Sequence, residues 1–493
     1  MTDLAQHCLK VLALDPGGEA VEFNDRWYTW GEMRQQAEAL WRAIDAAGIP
    51  KDEPITFVPR NRPSALSSLI GLLAQDRTIR MIYAFQSPAA VAKSVEKLDA
   101  AAIIMYEQDF SPEVREVMAA KGMAGIVIED MGARLLEGFG KGTPRPKNDA
   151  APEPSVEILT SGTTGPPKQF PLPHSVISKF LSGSGMTRKD DPNEAPMLYS
   201  FPVGNISGIH SAAASVLAGK RAVLLDRFTL EAWHKFVLKY RPRIGGAPTA
   251  AINMILDAKI PKEDLASFEY FGTGAAPLDI TVHRAFEEHY GIPILLSYGA
   301  TEFGGPVTMM TAELHKAFGK AKLGSVGRPL HGAKLRVVAP ETREELPAGE
   351  EGMLEVVSPR MGLEWIRTSD LGVIDEDGFI WLRGRADGAI MRGGFKVLPE
   401  TIERAMLLHP AISAVGVVGV ADERLYQVPA AAIQLKPDVV APTVEELKLH
   451  LRQHVLATHI PVHWKFVDAL PKNRSFKIDR PGVRALFEEE AVA

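Results

Sequence analysis

Small, hydroxyl-bearing and glycine residues follow an apolar stretch at residues 156–168, VEILTSGTTGPPK. Gly162 and Gly165 permit backbone conformations with positive φ, which can turn N–H groups toward an anion. Hydroxyl groups and one ammonium supplement these amides, and they belong to Thr160, Ser161, Thr163, Thr164 and Lys168. Such a loop can bind a triphosphate. The other interpretation of this composition is an ordinary surface hairpin.

Two glycine motifs of other nucleotide-binding folds do not fit this chain. The P-loop lysine precedes a Ser or Thr at the start of a helix, whereas Lys168 follows two prolines, which disfavour an immediate helix. The segment GTGAAPL at 272–278 imitates a dinucleotide fingerprint, but Pro277 stands where a third glycine or alanine belongs. No acidic partner is evident for it either. We therefore reject both motifs.

Four further segments combine aromatic, acidic and basic residues: SYGATE at 297–302, IRTSDL at 366–371, GRAD at 384–387 and LPKNRSFKIDR at 470–480. Together with the loop at 156–168 they resemble, in the same order, the motifs of the adenylate-forming superfamily. That superfamily includes acyl- and aryl-CoA ligases, nonribosomal-peptide adenylation domains and beetle luciferases. The resemblance covers most of the chain from Val156 to Arg480 and is most specific to an acyl- or aryl-CoA ligase.

The resemblance implies how ATP would be bound. Residues 160–168 would hold the β- and γ-phosphates, and the ring of Tyr298 would pack on adenine. Thr301 would contact the AMP phosphate, and Glu302 would coordinate Mg²⁺, for which a carboxylate is a suitable hard ligand. Asp370 would accept hydrogen bonds from both ribose hydroxyls. Further nucleotide contacts are implied for the backbone of Gly274, Ala275 and Ala276 and for the side chain of Arg385.

The resemblance also implies the residues of the reaction itself. Lys477 would bridge the carboxylate and the α-phosphate, where its ammonium would offset charge as pyrophosphate leaves. Asp387 matches the hinge between two domains, and Gly393 and Gly394 match the small surface that lines the pantetheine passage after rotation. Two of these residues also have simpler interpretations, Lys477 as a solvated surface charge and Asp387 as a turn carboxylate.

The acyl site is less defined by sequence. Asn205, in SFPVGNISGIH, occupies a position where relatives often carry an aromatic residue or histidine beside the acyl group. Its alternative role is to cap the following helix, since Asn is a favoured N-cap. The candidate pocket residues are Asn205, Gly272 and Gly304. They do not decide between aryl, medium-chain and polycyclic acids.

Four positions depart from the family pattern: Ser369, Met391, Tyr426 and Phe476. Phe476 replaces a glycine directly before Lys477, and a bulky residue there restricts the backbone and could re-aim the lysine. Met391 stands where a lysine often follows the hinge, which bears on the second half-reaction. Around Asp76 the chain also lacks an expected glycine.

Composition narrows the classes of protein. The chain has 493 residues, 46% of them hydrophobic, which suffices for a large core and a further domain. A net charge of −6 from 55 basic and 61 acidic residues disfavours nucleic acid as a partner. The single cysteine, Cys8, excludes an internal disulfide, and no stretch approaches the roughly 20 apolar residues of a spanning helix. We expect a cytoplasmic protein without membrane insertion.

The elements that must position these residues alternate between helices and strands. Apolar periodicity predicts a helix in residues 28–49 that stops at Gly48, and a second at 112–121. Short apolar runs predict strands at 55–58, 101–105, 125–128 and 222–225. After a composition break at 384–388, the pattern predicts a helix after Pro399, strands at 415–420, 430–435 and near Phe466, and a helix at 444–455. This alternation predicts an α/β fold.

Pattern and resemblance together predict two domains. A large, multi-layered N-terminal domain of mixed sheets flanked by helices would span residues 1–385 and bind ATP and the acyl substrate. A small, mobile α+β domain would span 386–493, carry Lys477 and rotate about Asp387.

The expected activity is ATP- and Mg²⁺-dependent conversion of a small-molecule carboxylic acid to acyl-AMP, followed by transfer to coenzyme A. Two alternatives remain at this stage. One is a stand-alone adenylation enzyme that loads the thiol of a carrier protein acting in trans. The other is an inactive nucleotide-binding relative, motivated by Phe476 and Met391.

Overall fold

A computed structural model describes residues 1–84, 86–144, 153–160, 168–183, 191, 193–274, 278–392, 395–422, 425–455, 457–473 and 477–488. No helix in these ranges combines the length and the apolar character needed to cross a membrane.

The α-helices of the described residues, in chain order, are α1 Asp3–Leu12, α2 Trp30–Ala47, α3 Pro63–Ala74, α4 Pro88–Lys97, α5 Pro112–Lys121, α6 His174–Gly183, α7 Ile206–Gly208, α8 Ala214–Leu217, α9 Leu230–Tyr240, α10 Thr249–Asp257, α11 Lys262–Leu265, α12 Ile280–Tyr290, α13 Ala312–Phe318, α14 Pro399–Leu407, α15 Val444–Arg452 and α16 Arg480–Glu488. A π-helical turn, Ile209–Ala213, joins α7 to α8.

The strands of the same residues are β1 Glu19–Phe23, β2 Arg26–Thr29, β3 Ile55–Phe57, β4 Ile79–Met81, β5 Ala102–Tyr106, β6 Ala124–Glu129, β7 Gly132–Leu135, β8 Ser155–Thr160, β9 Lys168–Pro173, β10 Met197–Tyr199, β11 Ala222–Leu224, β12 Ile244–Gly246, β13 Tyr270–Gly274, β14 Ile294–Ala300, β15 Gly305–Met309, β16 Arg328–Pro329, β17 Lys334–Val338, β18 Glu351–Val357, β19 Ile366–Ile374, β20 Ile380–Arg385, β21 Ile390–Arg392, β22 Phe395–Val397, β23 Ile412–Asp422, β24 Tyr426–Leu435 and β25 His463–Phe466.

The largest sheet has seven strands in the order β7-β6-β5-β3-β4-β8-β9. Its inner strands β6, β5, β3, β4 and β8 are parallel, and β7 and β9 join the edges in the antiparallel sense. A second sheet has the order β12-β13-β14-β15-β16, with β12, β13 and β14 parallel. Parallel strands are buried on both faces, which explains their continuous apolar runs. The mixed α/β prediction is confirmed.

Two four-stranded sheets complete the part of the chain before residue 386. One has the order β10-β11-β1-β2, and the other is the antiparallel sheet β17-β18-β19-β20. After it, β21 to β25 form a separate sheet in which the long strands β23 and β24 pair and β25 lies parallel to β24. This last sheet packs with α14, α15 and α16 around apolar cores of its own.

Local sequence signals account for the helix that was predicted first. Thr29 caps α2 and forms a reciprocal capping box with Glu32, and Gly48 ends the helix with a φ of 72°. Asp76 shows how the chain manages without the expected glycine. Its φ is 55°, a conformation that Asp tolerates better than most residues, and its carboxylate accepts a hydrogen bond from the backbone of Thr2 at 3.0 Å.

Candidate active site

The predicted phosphate loop lies between two paired strands. β8 and β9 are antiparallel, and their last register pair is Thr160 opposite Lys168. The strands on either side of the predicted loop therefore pair with each other. The predicted residues Ser161, Gly162, Thr163, Thr164 and Gly165 lie outside the described residues, as do Ala275, Ala276, Gly393, Gly394 and Phe476.

The ends of β13 and β14 bring two motifs side by side. These strands are parallel, and Gly274 pairs in register with Ser297. A Cβ atom added to Gly274 would lie 2.5 Å from the Ser297 side-chain oxygen and 2.8 Å from its carbonyl oxygen. Close approach of the two strands thus requires glycine at this position, and Tyr298 follows directly.

Tyr298, Asp370 and Arg385 form a hydrogen-bonded and ion-paired group. The hydroxyl of Tyr298 donates to Oδ2 of Asp370 at 2.5 Å, and Nη1 of Arg385 lies 3.6 Å from Oδ1. Asp370 and Arg385 are register partners on β19 and β20. Burial, reinforced by the adjacent carboxylate, raises the pKa of Tyr298 well above its usual value, so the phenol stays protonated and keeps donating. Three of the predicted nucleotide residues therefore converge.

Lys477, in the segment before α16, interacts electrostatically with the same group. Its backbone is held by Asn473, whose side-chain oxygen accepts from the Lys477 N–H at 3.1 Å and whose own N–H donates to the Lys477 carbonyl at 2.7 Å. The residue remains exposed to solvent. Desolvation by the surrounding protein nevertheless lowers the pKa of its ammonium, and Arg385 lowers it further while Asp370 opposes the shift. The lysine thus lies within electrostatic range of both side chains.

Thr301 and Glu302 lie at the end of β14. They open a 3₁₀ turn, Thr301–Phe303, in which Glu302 is exposed and Phe303 is buried against Tyr298 with ring centroids 5.6 Å apart. Mg²⁺ is commonly held by one or two carboxylates together with substrate phosphates. An exposed carboxylate beside the predicted phosphate contact fits that donor set, and Glu302 is the residue that would supply it.

The three predicted acyl-site residues differ in their surroundings. Asn205 caps α7, since its side-chain oxygen accepts from the N–H of Gly208 at 2.8 Å. Gly304 has a φ of 62°, and a Cβ there would lie 2.8 Å from Val176 and 3.0 Å from the Met361 sulfur. Gly272 lies on β13 opposite Leu295 of β14. The capping interpretation of Asn205 is confirmed. At Gly304 the side chains of Val176 and Met361 leave no room for a Cβ atom.

Sequence reasoning missed His210, which the π-helical turn after α7 carries. Its ring stacks on Phe180 with centroids 3.9 Å apart, and a Cβ at Gly305 would lie 2.6 Å from its Nδ1. Burial, with repulsion from Arg360, lowers the pKa of His210 to about 3, so the imidazole is neutral at physiological pH. The histidine is visible in the sequence, but nothing local connects it to Gly305, 95 positions later.

One of the departures from the family pattern makes a contact. The Ser369 hydroxyl accepts a hydrogen bond from Nη2 of Arg385, so the serine helps to orient the arginine beside Asp370. Asp387 lies on a 3₁₀ turn, Ala386–Gly388, directly after β20. The side chains of Asp387, Met391 and Tyr426 lie outside what the structure describes.

A partly buried ion cluster anchors the segment that bears Lys477. Arg480 lies 3.0 Å from Glu400 and 3.0 Å from Glu403, and Glu403 also accepts from the N–H of Val417 at 2.8 Å. Glu400 in turn packs against Gly384 of β20, where a Cβ would lie 2.8 Å from its carboxylate. The cluster therefore connects the lysine segment to the last strand before Asp387.

Replacing Arg480 with methionine is expected to destabilise the protein by roughly 3–5 kcal/mol, because it leaves the buried Glu403 without its counter-charge. Chemical denaturation of the full chain measures this effect. The double variant Arg480→Met, Glu403→Gln should recover most of the loss, since the buried charge is then absent. A single variant within about 0.5 kcal/mol of the parent would contradict the assignment, because that is the range of an ordinary surface substitution.

Known proteins resemble the chain along nearly its whole length. 4-Coumarate–CoA ligase 1 of Petroselinum crispum is 26% identical over 491 residues, which cover 93% of this chain and 89% of that protein. Fatty acid–acyl-carrier-protein ligase ScoC of Streptomyces coeruleorubidus is 23% identical, with 96% and 94% covered. The anthranilate CoA ligase AuaEII in complex with anthranoyl-AMP shares the fold, with a TM-score of 0.81 and 20% identity over 100% of this chain and 98% of that one.

Two family models match the chain, one over its N-terminal part and one over its C-terminal part. The model of the AMP-binding enzyme matches residues 10–363, and that of the AMP-binding enzyme C-terminal domain matches residues 401–477, ending on the candidate catalytic lysine. The chain belongs to the AMP-binding enzyme family.

Proposed function

We propose that this enzyme activates a carboxylic acid with ATP and transfers the resulting acyl group to coenzyme A. The observation that carries the proposal is the convergence of Tyr298, Asp370 and Arg385 with Lys477. The first three residues offer a stacking face, ribose hydrogen-bond acceptors and a cation. Lys477 adds a second cation from the segment before α16. This set suits a nucleotide whose α-phosphate is attacked beside the lysine.

In the first step, an oxygen of the substrate carboxylate attacks the α-phosphorus of ATP. The new bond joins acid and AMP, the α–β phosphoanhydride bond breaks, and pyrophosphate leaves with the electron pair. No protein nucleophile is needed, so positioning and charge stabilisation supply the rate enhancement. Lys477 and Arg385 offset negative charge, and Asp370 holds the ribose. Bound Mg²⁺, with Glu302 as a ligand, would neutralise phosphate charge.

In the second step, a thiolate attacks the acyl carbon, the bond to AMP breaks, and AMP leaves. We infer that Lys477 blocks the approach of the thiol while it lies at the site of the first step. We infer that the unit after residue 386 rotates about Asp387 between the steps, withdrawing the lysine and presenting the surface at Gly393 and Gly394. Likeness to 4-coumarate–CoA ligase supports coenzyme A as the acceptor.

A carrier-protein thiol is the second candidate acceptor, because ScoC is also similar over most of its length. Purified enzyme, ATP, Mg²⁺ and a panel of aryl, alkyl and polycyclic acids should release pyrophosphate with at least one acid. With that acid, we expect mass spectrometry to show the coenzyme A thioester. Acylation of a phosphopantetheinylated carrier protein without any coenzyme A thioester would contradict the acceptor assignment. Absence of acid-dependent pyrophosphate release would contradict the proposal and favour an inactive relative.

A further inference from the structure

A polar cluster lies beside Gly305, which follows the predicted acyl-site residue Gly304. It consists of Phe180 on α6, His210 in the π-helical turn and Arg360 after β18. The stacked rings of Phe180 and His210 have centroids 3.9 Å apart, and the Arg360 guanidinium carbon lies 5.9 Å from the Phe180 centroid. Nη2 of Arg360 donates to the carbonyl of Pro306, directly after Gly305.

Arg360 has no counter-ion among the described residues, in contrast to Arg80 and Arg336. Arg80 pairs with Glu157 at 3.0 Å and Arg336 pairs with Glu355 at 2.8 Å. Across the described ranges, no acidic side chain pairs with Arg360, and its Nε is buried with no hydrogen-bond partner. Removing a guanidinium from water without a counter-charge is costly, and arginine does not relieve that cost by losing its proton.

His210 provides a second buried nitrogen without a hydrogen-bond partner among the described residues. The side chain is 9% exposed, and its buried Nε2 has no hydrogen-bond partner in the described part of the chain. The other nitrogen, Nδ1, faces Gly305, which has a φ of 115° and would not accept a Cβ. Buried polar atoms of folded proteins are normally hydrogen-bonded, and an unsatisfied pair beside a binding site points to a ligand. A neutral imidazole can donate from Nε2.

The cluster is close to the reaction centre along the chain. Gly304 donates its N–H to the carbonyl of Thr301 at 3.0 Å, and Met361, next to Arg360, packs against Gly304. The four residue-to-residue steps from Thr301 to Gly305 span at most about 14 Å. Arg360 is only partly buried, so a ligand can reach its guanidinium.

We propose that Arg360 and His210 bind a second carboxylate of the substrate, so that the acid activated by this enzyme is a dicarboxylic acid. The inference rests on the proposed function, because it assigns the far end of the same acyl pocket. A carboxylate can accept from the Arg360 Nε and from His210 together, which satisfies both orphaned donors. The apolar walls formed by Phe180 and Met361 strengthen that pairing by excluding water.

The test compares matched acids in acid-dependent ATP–pyrophosphate exchange. Dicarboxylic acids and monocarboxylic acids of equal length, such as adipic and hexanoic acid, or terephthalic and benzoic acid, form the pairs. We expect the parent enzyme to prefer the dicarboxylic member in kcat/KM. Arg360→Gln should reduce that preference by roughly 10- to 150-fold, the range for a hydrogen bond to a charged group. Arg243→Gln, which changes an exposed arginine paired with Glu269, serves as the control and should leave the preference unchanged.

The Arg360→Gln enzyme should still catalyse ATP–pyrophosphate exchange with monocarboxylic acids, and this activity would show that the variant is folded. Arg360→Glu should shift the preference toward acids with a distal ammonium group. Parent enzyme that activates monocarboxylic acids as well as or better than dicarboxylic ones would overturn this inference while leaving the proposed function intact. Equal dicarboxylate preference in the parent and the Arg360→Gln enzyme would also overturn it. Absence of exchange with every acid would overturn both.

Discussion

Replacing Lys477 with alanine is expected to lower acid-dependent pyrophosphate release by roughly 100- to 1,000-fold, the loss seen when one preorganised transition-state donor is removed. The ammonium lies within electrostatic range of Asp370 and Arg385, and its pKa is lowered there mainly by partial desolvation, so its charge can act on the departing phosphates. Transfer from chemically supplied acyl-AMP to coenzyme A should change only a few-fold, because the proposed rotation removes the lysine before that step.

The matched control is Lys472→Ala, which removes an exposed lysine of the same segment. It should retain parental activity in both half-reactions. The pH profile adds an independent readout. Because the pKa of Lys477 is lowered, pyrophosphate release by the parent should decline with rising pH before the ordinary lysine range near 10.4 is reached. The residual activity of Lys477→Ala should lack that decline. Undiminished pyrophosphate release by this variant would remove Lys477 from the mechanism.

Asp370→Asn is expected to reduce kcat/KM for ATP by roughly 10- to 150-fold, through lost hydrogen bonds to a charged acceptor. Tyr298 and Arg385 engage one oxygen each of this carboxylate. A carboxylate has about four lone-pair sites, which leaves room for two ribose hydroxyls. The asparagine variant keeps the shape of the side chain but loses its charge and one acceptor.

Deoxy-nucleotides separate ribose recognition from a general structural effect. The parent enzyme should discriminate between ATP and its 2′-deoxy and 3′-deoxy analogues, and Asp370→Asn should largely lose that discrimination, as in a double-mutant cycle. Tyr298→Phe, which removes one donor to Asp370 while keeping the aromatic face, should preserve the discrimination. An asparagine variant that still discriminates as the parent does would assign ribose binding to other residues.

Much of the fold followed from local patterns. Helix α5 has the predicted bounds, Pro112–Lys121, because Ser111 caps its start and Gly122 ends it with a φ of 59°. The predicted strands near residues 55, 101, 125 and 222 are present as β3, β5, β6 and β11. Boundaries were less accurate where no stop signal exists. Helix α15 ends at Arg452 rather than near Val455, and β23 extends to Asp422.

Predicting the site residues required the motif resemblance, because local patterns do not show which distant residues meet. Tyr298 and Asp370 are 72 positions apart, and no periodicity could predict their contact. The resemblance of ordered motifs named both residues, and the structure brings them together. The motif resemblance could not identify His210 or Arg360, because their environment arises from the packing of α6, the π-helical turn and the turn after β18. Asn205 was ambiguous by sequence, and its role as a cap became clear only from its hydrogen bond to Gly208.

We propose that the acid attacks the α-phosphorus of ATP in the site formed by Tyr298, Asp370, Arg385 and Lys477. The most direct test of this attack uses a substrate acid labelled with ¹⁸O in its carboxylate, with ATP and coenzyme A. Mass spectrometry should find one ¹⁸O atom in each AMP, because the acid oxygen bonds to the α-phosphorus and remains there when the acyl carbon is transferred to the thiol. AMP without label, or label recovered in inorganic phosphate, would contradict attack of the acid on the α-phosphorus.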